Sequence, residues 1–123
     1  MSDSPFRAAV EARSLDLLSA ALAPDVTFRS PAVHAPYEGR DVVLVILGAV
    51  LEVFEDFAYQ GEIRDGDNEM LRFNARVSDR DVDGVDIVTY VDGLVAELTV
   101  MIRPLSALQA VRDAMGAKLE AYK

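Results

Sequence analysis

Cysteine is absent from this 123-residue chain, which excludes disulfides and thiolate metal sites and points to a reducing cytosol. Long apolar runs are absent too. The longest, Val42 to Val50 broken only by Gly48, is about half of the roughly 20 residues needed to span a membrane, so it predicts a buried helix. The segment Met1-Ser2-Asp3-Ser4-Pro5 has no basic region followed by an apolar core, so no secretory signal is expected and a cytoplasmic location is. Positive charge is scarce: 12 Lys and Arg against 21 Asp and Glu give a formal net charge of −9. Such a surface repels phosphate backbones and anionic lipid, which argues against nucleic acid or membrane as a partner.

What remains is an ordinary globular balance, 51% hydrophobic and 27% charged, in a length that suits one domain over residues 1–123 with a real core. Ser4-Pro5 is a helix start, cap followed by proline, for a helix to about Ala12. Ser14 can cap a second helix with Leu15, Leu17, Leu18 and Leu22 as its apolar side, stopped by Pro24. Val26 to Arg29 reads as a short strand, and Ser30 to Gly39 as loop or broken strand. Arg40 to about Glu55 is helical and apolar nearly all round, hence buried on more than one side.

The period then changes to two. Ala58 to Arg64, Met70 to Val77, Val85 to Val91 and Leu94 to Arg103 predict four strands of an antiparallel meander, with turns at Asp65-Gly66-Asp67-Asn68 and Asp92-Gly93. Pro104 opens a last helix whose stripe is Leu105, Leu108, Val111, Met115, Leu119 and Tyr122. Helices first and strands after make an α+β layout. On the last strand, Leu94, Ala96, Leu98, Val100 and Ile102 share an apolar face, while Val95, Glu97, Thr99 and Met101 share a mixed one. Asp86, Val88 and Tyr90 share a face on the strand before it; Leu71, Phe73, Ala75 and Val77 share one on the strand before that.

Leu22-Ala-Pro-Asp-Val-Thr-Phe28, Ser30-Pro31, Gly39-Arg40-Asp41, Gly84-Val-Asp86 and the run Asp92 to Pro104 follow one another in an order that resembles the SnoaL-like branch of the nuclear transport factor 2-like fold. The resemblance covers nearly the whole chain. It implies a cone: a strongly curved antiparallel or mixed sheet wrapped on a long helix, open at one end, often dimeric through the outer sheet face. Known members include ketosteroid isomerases, polyketide cyclases and epoxide hydrolases, and many have no assigned activity, so the fold does not select among them.

Asp86 is the sharpest residue. A carboxyl in an apolar pocket loses hydration, so its pKa should rise, and the neutral acid can donate a hydrogen bond to a developing oxyanion. The resemblance puts Asp86 where the isomerases carry their hydrogen-bonding Asp. The other reading is a carboxylate tied to a backbone N–H or an arginine. The remaining isomerase groups do not carry over: Ser30 stands where those enzymes have an Asp base, and Phe6 where they have a Tyr.

His34, the only histidine, lies in the loop expected to border the pocket mouth. It could serve as acid or base near neutral pH, or be simply solvated. A Ser30–His34 nucleophile pair lacks the usual context. Asp79-Arg-Asp81-Val-Asp83-Gly84 imitates half a calcium loop, but its twelfth position is Tyr90, not Glu, so no metal or cofactor is expected.

Phe28, Tyr37, Tyr59 and Tyr90 could line a ligand pocket or pack the core. With Phe6, Ser30, Phe73, Val88, Leu98 and Val100 they make the expected lining. Two functions follow. One is a site for a small hydrophobic ring compound, with acid-assisted isomerisation, cyclisation or hydrolysis by Asp86 helped by His34. The other is a non-catalytic homodimeric module whose cavity is filled by its own side chains, such as Phe6, Phe28 and Leu98.

Overall fold

Local capping fixes where the first helices begin. In the computed structural model, which describes residues 4–120, Ser4 Oγ accepts the Arg7 N–H at 3.0 Å and Pro5 takes the first position of α1 (Pro5–Glu11). Ser14 Oγ accepts the Leu17 N–H in the same way at α2 (Leu15–Ala21). This helix ends before Pro24, not at it. The chain is already extended at Leu22, and Pro24 lies within β1 (Leu22–Arg29), where the register against its neighbour is interrupted between Leu22 and Thr27. Such an irregularity tolerates a residue without an N–H. Of the expected apolar side, Leu18 and Leu22 are buried whereas Leu15 and Leu17 face solvent.

The loop after β1 carries the two-residue strand β2 (Tyr37–Glu38) and leads into α3 (Arg40–Val53). Val43, Ile46, Leu47 and Ala49 of α3 are buried, but Val42 and Val45 are about half exposed, so the helix is not enclosed all round. Four strands follow: β3 (Glu55–Asp65), β4 (Asn68–Val77), β5 (Arg80–Val91) and β6 (Leu94–Arg103). Asp92 and Gly93 both take positive φ, 52° and 82°, in the last hairpin, the conformation that an Asp-Gly turn favours. The helix α4 (Leu105–Glu120) closes the described chain.

The strands form one curved mixed sheet in the order β2-β1-β6-β5-β4-β3, with β1 parallel to β6 and the other pairs antiparallel. The helices lie over its inner face. One core cluster, under α1, α2 and α3, gathers Phe6, Leu18, Val26, Val43, Leu71 and Val88. The other, under α4, gathers Phe54, Phe73, Val77, Val82, Ala107 and Val111.

Strand alternation fails on β6 as well. Thr89 pairs with Glu97 but Tyr90 pairs with Val95, so Ala96 is an extra residue on β6. The bulge turns Val95 inward beside Leu98, both with no exposed surface, and Val95 is therefore not on the outer face as expected. The stripe of α4 is likewise shifted: Leu105 is 68% exposed and Ala107 is buried in its stead. Tyr122 lies outside the described residues. No helix among the described residues is long and apolar enough to cross a membrane.

Candidate functional site

Between the inner sheet face and the helices lies a cavity of about 530 Å³. One end of it is aromatic. Phe57 stacks on Phe73 with ring centroids 4.8 Å apart, and Phe54 leans on Phe73 at 5.9 Å. Phe73 fits because the residue opposite it on β5 is Gly84: a Cβ there would sit 2.2 Å from the ring's Cζ.

Two residues beyond Gly84 on the same face of β5, Asp86 enters the cavity wall with only 7% of its surface exposed. From β3, the Tyr59 hydroxyl reaches across β4 and donates to Asp86 Oδ2 at 2.8 Å. Burial raises the Asp86 pKa from 3.8 to about 7; the tyrosine hydrogen bond, which favours the ionised form, only partly offsets that. Tyr59 is itself pushed well above the ordinary tyrosine value, first by burial and then by the neighbouring Asp86 charge. The Arg7 guanidinium lies 5.3 Å over the Tyr59 ring and pairs with Glu62 at 2.9 Å and Glu11 at 3.2 Å, fixing α1 above the pair. With Oδ2 occupied by Tyr59, Oδ1 is the atom left for a ligand. A carboxyl with this pKa is present in both protonation states near neutral pH, so it can give or take a proton there.

Phe6, Phe28, Ser30, Tyr37, Tyr59, Phe73, Leu98 and Val100 also line the cavity. Three expected site residues do not. Val88, fully buried, is packed among Phe6, Leu18 and Val43 where α1 and α2 fill the space against the sheet. Tyr90 lies farther along β5 and turns to a second polar cluster. His34 is exposed: Ser30 Oγ accepts the Val33 N–H at 3.0 Å, and the resulting turn keeps Ser30 to Val33 on the cavity while His34 points to water. It makes no pair with Ser30 among the described hydrogen bonds.

The second cluster escaped sequence reasoning. Glu69 on β4 has no exposed surface, yet is a carboxylate. Ser4 Oγ donates to its Oε1 at 2.6 Å, the Tyr90 hydroxyl to the same atom at 3.0 Å, and Arg64 Nη2 to Oε2 at 3.0 Å. Arg64 also lies 5.4 Å over the Tyr90 ring. Extending the alternation of Leu71 and Phe73 back by one step puts Glu69 on the same inner face, which is the signal that would have found it. The cavity's rim was missed as well: Arg13, on the turn after α1, and Arg112, on α4, both line it while remaining exposed.

The imitation calcium loop forms the β4–β5 hairpin, where Asp83 pairs with Arg103 at 2.8 Å and Asp81 with Arg76 at 3.8 Å.

This architecture occurs in solved structures. A protein of Pseudomonas aeruginosa described as a steroid delta-isomerase is 42% identical, with 95% of this chain and 88% of that chain covered and a TM-score of 0.91. A protein of Silicibacter pomeroyi DSS-3, described as conserved in bacteria with a cystatin-like fold, is 34% identical over 94% of this chain and 83% of that one, with a TM-score of 0.90. A de novo designed protein with a curved β-sheet, 17% identical over 95% of this chain and 99% of that one with a TM-score of 0.73, shares the fold alone. No curated protein matches in sequence. Residues 5–98 match the SnoaL-like domain. The chain belongs to the SnoaL-like domain family, in the nuclear transport factor 2-like, ketosteroid isomerase-like superfamily.

Proposed function

We propose that the cavity binds a small hydrophobic ring compound and that Asp86 is the acid–base group acting on it. The observation that carries this reading is the Asp86–Tyr59 pair in the wall of an otherwise largely apolar cavity of about 530 Å³, a size within the usual range of ligand sites. The protonated carboxyl gives a hydrogen bond or a proton to a ligand oxygen; the ionised form accepts a proton. Tyr59 is a positioning residue that holds Oδ2. Isomerisation is the reaction favoured here, because the 42% identical protein is described as a steroid delta-isomerase. The route must differ from one with a separate carboxylate base, since Ser30 occupies that place and His34 is off the cavity. The alternative of a self-filled cavity is weakened by its volume: Phe6, Phe28 and Leu98 line the space without closing it.

The test is turnover of β,γ-unsaturated cyclic ketones to their conjugated isomers, followed by the absorbance of the product. Asp86→Asn, which keeps the shape but cannot exchange a proton, should slow the reaction by about 100-fold or more. An Asp86→Asn protein as fast as the parent would overturn the assignment.

The assembly proposed is a homodimer through the outer sheet face. Ile63 on β3, Met70 on β4 and Ile87 on β5 lie in one cross-strand row, with Val85 and Met101 in the next. Ile63 is 70% exposed and Met101 55%, an apolar surface that a second copy would cover. Sedimentation at micromolar concentration should give a dimer, and Met70→Lys a monomer; a monomeric parent protein contradicts the proposal.

A further inference from the structure

We propose that the natural ligand is an amphipathic anion whose apolar body fills the cavity while a carboxylate sits at the rim between Arg13 and Arg112. The proposal rests on the reading of the cavity as a ligand site and adds the substrate's charge.

Among the described residues, the charged members of the lining are Glu11, Arg13, Asp86 and Arg112. Two of them are engaged by neighbours: Asp86 by Tyr59, and Glu11 by Arg7 at 3.2 Å. The two arginines are not used in the same way. Arg13 Nη2 donates to the Leu51 carbonyl at the end of α3, and among the described residues no carboxylate lies within ion-pair distance of it. That bond directs the guanidinium to Leu51, itself a lining residue, and leaves its charge uncompensated at the cavity edge. Among the described residues Arg112 meets only its sequence neighbour Asp113, at 3.2 Å, with both side chains largely exposed, so that contact is readily exchanged.

Residues that line a cavity and face water at once mark its mouth. In a chain of net charge −9, two exposed guanidinium groups in the lining of one cavity, one of them with no paired carboxylate among the described residues, are an uncommon concentration of positive charge. A guanidinium presents a planar fork of donors that matches a carboxylate. The interior, walled largely by Phe28, Leu47, Val50, Phe54, Leu98 and Val100, carries no cationic side chain among the described residues and suits the apolar body. An anionic group at the rim would also fix the body's depth, and so which of its atoms meets Asp86.

The test compares 1-pyrenebutyrate with 1-pyrenebutanol, which share one ring system and differ in charge, by fluorescence anisotropy. At low ionic strength the parent protein should bind the acid about fivefold more tightly than the alcohol, the scale expected of partly exposed ion pairs. The preference should shrink at about 0.5 M salt, where screening is short-ranged. In the Arg13→Gln/Arg112→Gln double variant both probes should bind equally, with alcohol affinity unchanged; Arg112→Gln alone, which leaves the Leu51 tie intact, should lose part of the preference. Equal binding of the two probes by the parent, or a preference surviving in the double variant, overturns the proposal and leaves the ligand-site reading standing. Binding of neither probe removes both.

Discussion

The stability of this protein should fall by about 4 kcal/mol between about pH 4 and about pH 7 on account of Asp86 alone. Raising a carboxyl from 3.8 to about 7 corresponds to that energy. Between those limits the folded chain holds a proton on Asp86 that the unfolded chain has already released. Folding is therefore favoured at the acidic end of the window, and the advantage is lost as pH rises through the folded value; above it the effect is constant. This is the reverse of an ordinary ion-paired carboxylate. The cause is burial, since Tyr59 gives one hydrogen bond where water gave several. Asp86→Asn cannot ionise, and should be more stable than the parent by up to about 4 kcal/mol at pH 8 and nearly equal to it at pH 4. Urea denaturation of both proteins across the range measures this, and the other titrating groups cancel in the difference. A parent and variant with parallel pH profiles would show that the site does not raise Asp86.

Glu69→Ala should have the opposite consequence, a loss of about 3 kcal/mol at neutral pH. Glu69 is fully buried and holds three donors; without it Ser4 and Tyr90 lose an acceptor and Arg64 loses its counter-charge. Arg64 is partly exposed and can turn to water, which puts the loss at the low end for a broken buried pair. Glu69→Gln keeps an acceptor for Ser4 and Tyr90 and should cost about 1 kcal/mol. The effect reaches the cavity. Ser4 caps α1, Tyr90 Oη accepts the Phe6 N–H at 3.4 Å, and α1 carries Phe6 into the cavity wall and Arg7 over Tyr59. Amide hydrogen exchange in α1 should therefore accelerate in Glu69→Ala before exchange in β4 or β5 does. Unchanged stability would mean that the cluster does not anchor α1.

Much of this architecture was legible because it rests on local rules. Ser4 and Ser14 are caps wherever their helices end up, and Asp92-Gly93 makes its turn from its own two residues. The alternation Asp86, Val88, Tyr90 placed one acidic side chain on an inner face. Period two gives the face and not the depth, however. Whether a residue on that face meets empty space or a helix depends on where α1 and α2 come to rest, so Asp86 reaches the cavity, Val88 the packed core and Tyr90 the Glu69 cluster. The same limit hid the Tyr59–Asp86 pair, whose members lie 27 residues apart and meet across the intervening strand β4. Val95 was misplaced because a bulge at Ala96 shifts the phase by one residue, and nothing in the run Leu94 to Arg103 announces it. His34 was placed by the resemblance of its loop, whereas the turn closed by Ser30 decides which loop residues face inward.

Carbon-13 NMR titration of the Asp86 side-chain carboxyl, assigned through loss of its signal in Asp86→Asn, reads the group on which the chemistry depends. A midpoint near 7 is expected for a carboxyl buried in the cavity wall beside Tyr59. A midpoint near 4 would mean that residue 86 is hydrated like any surface aspartate, and that the cavity has no acid of its own.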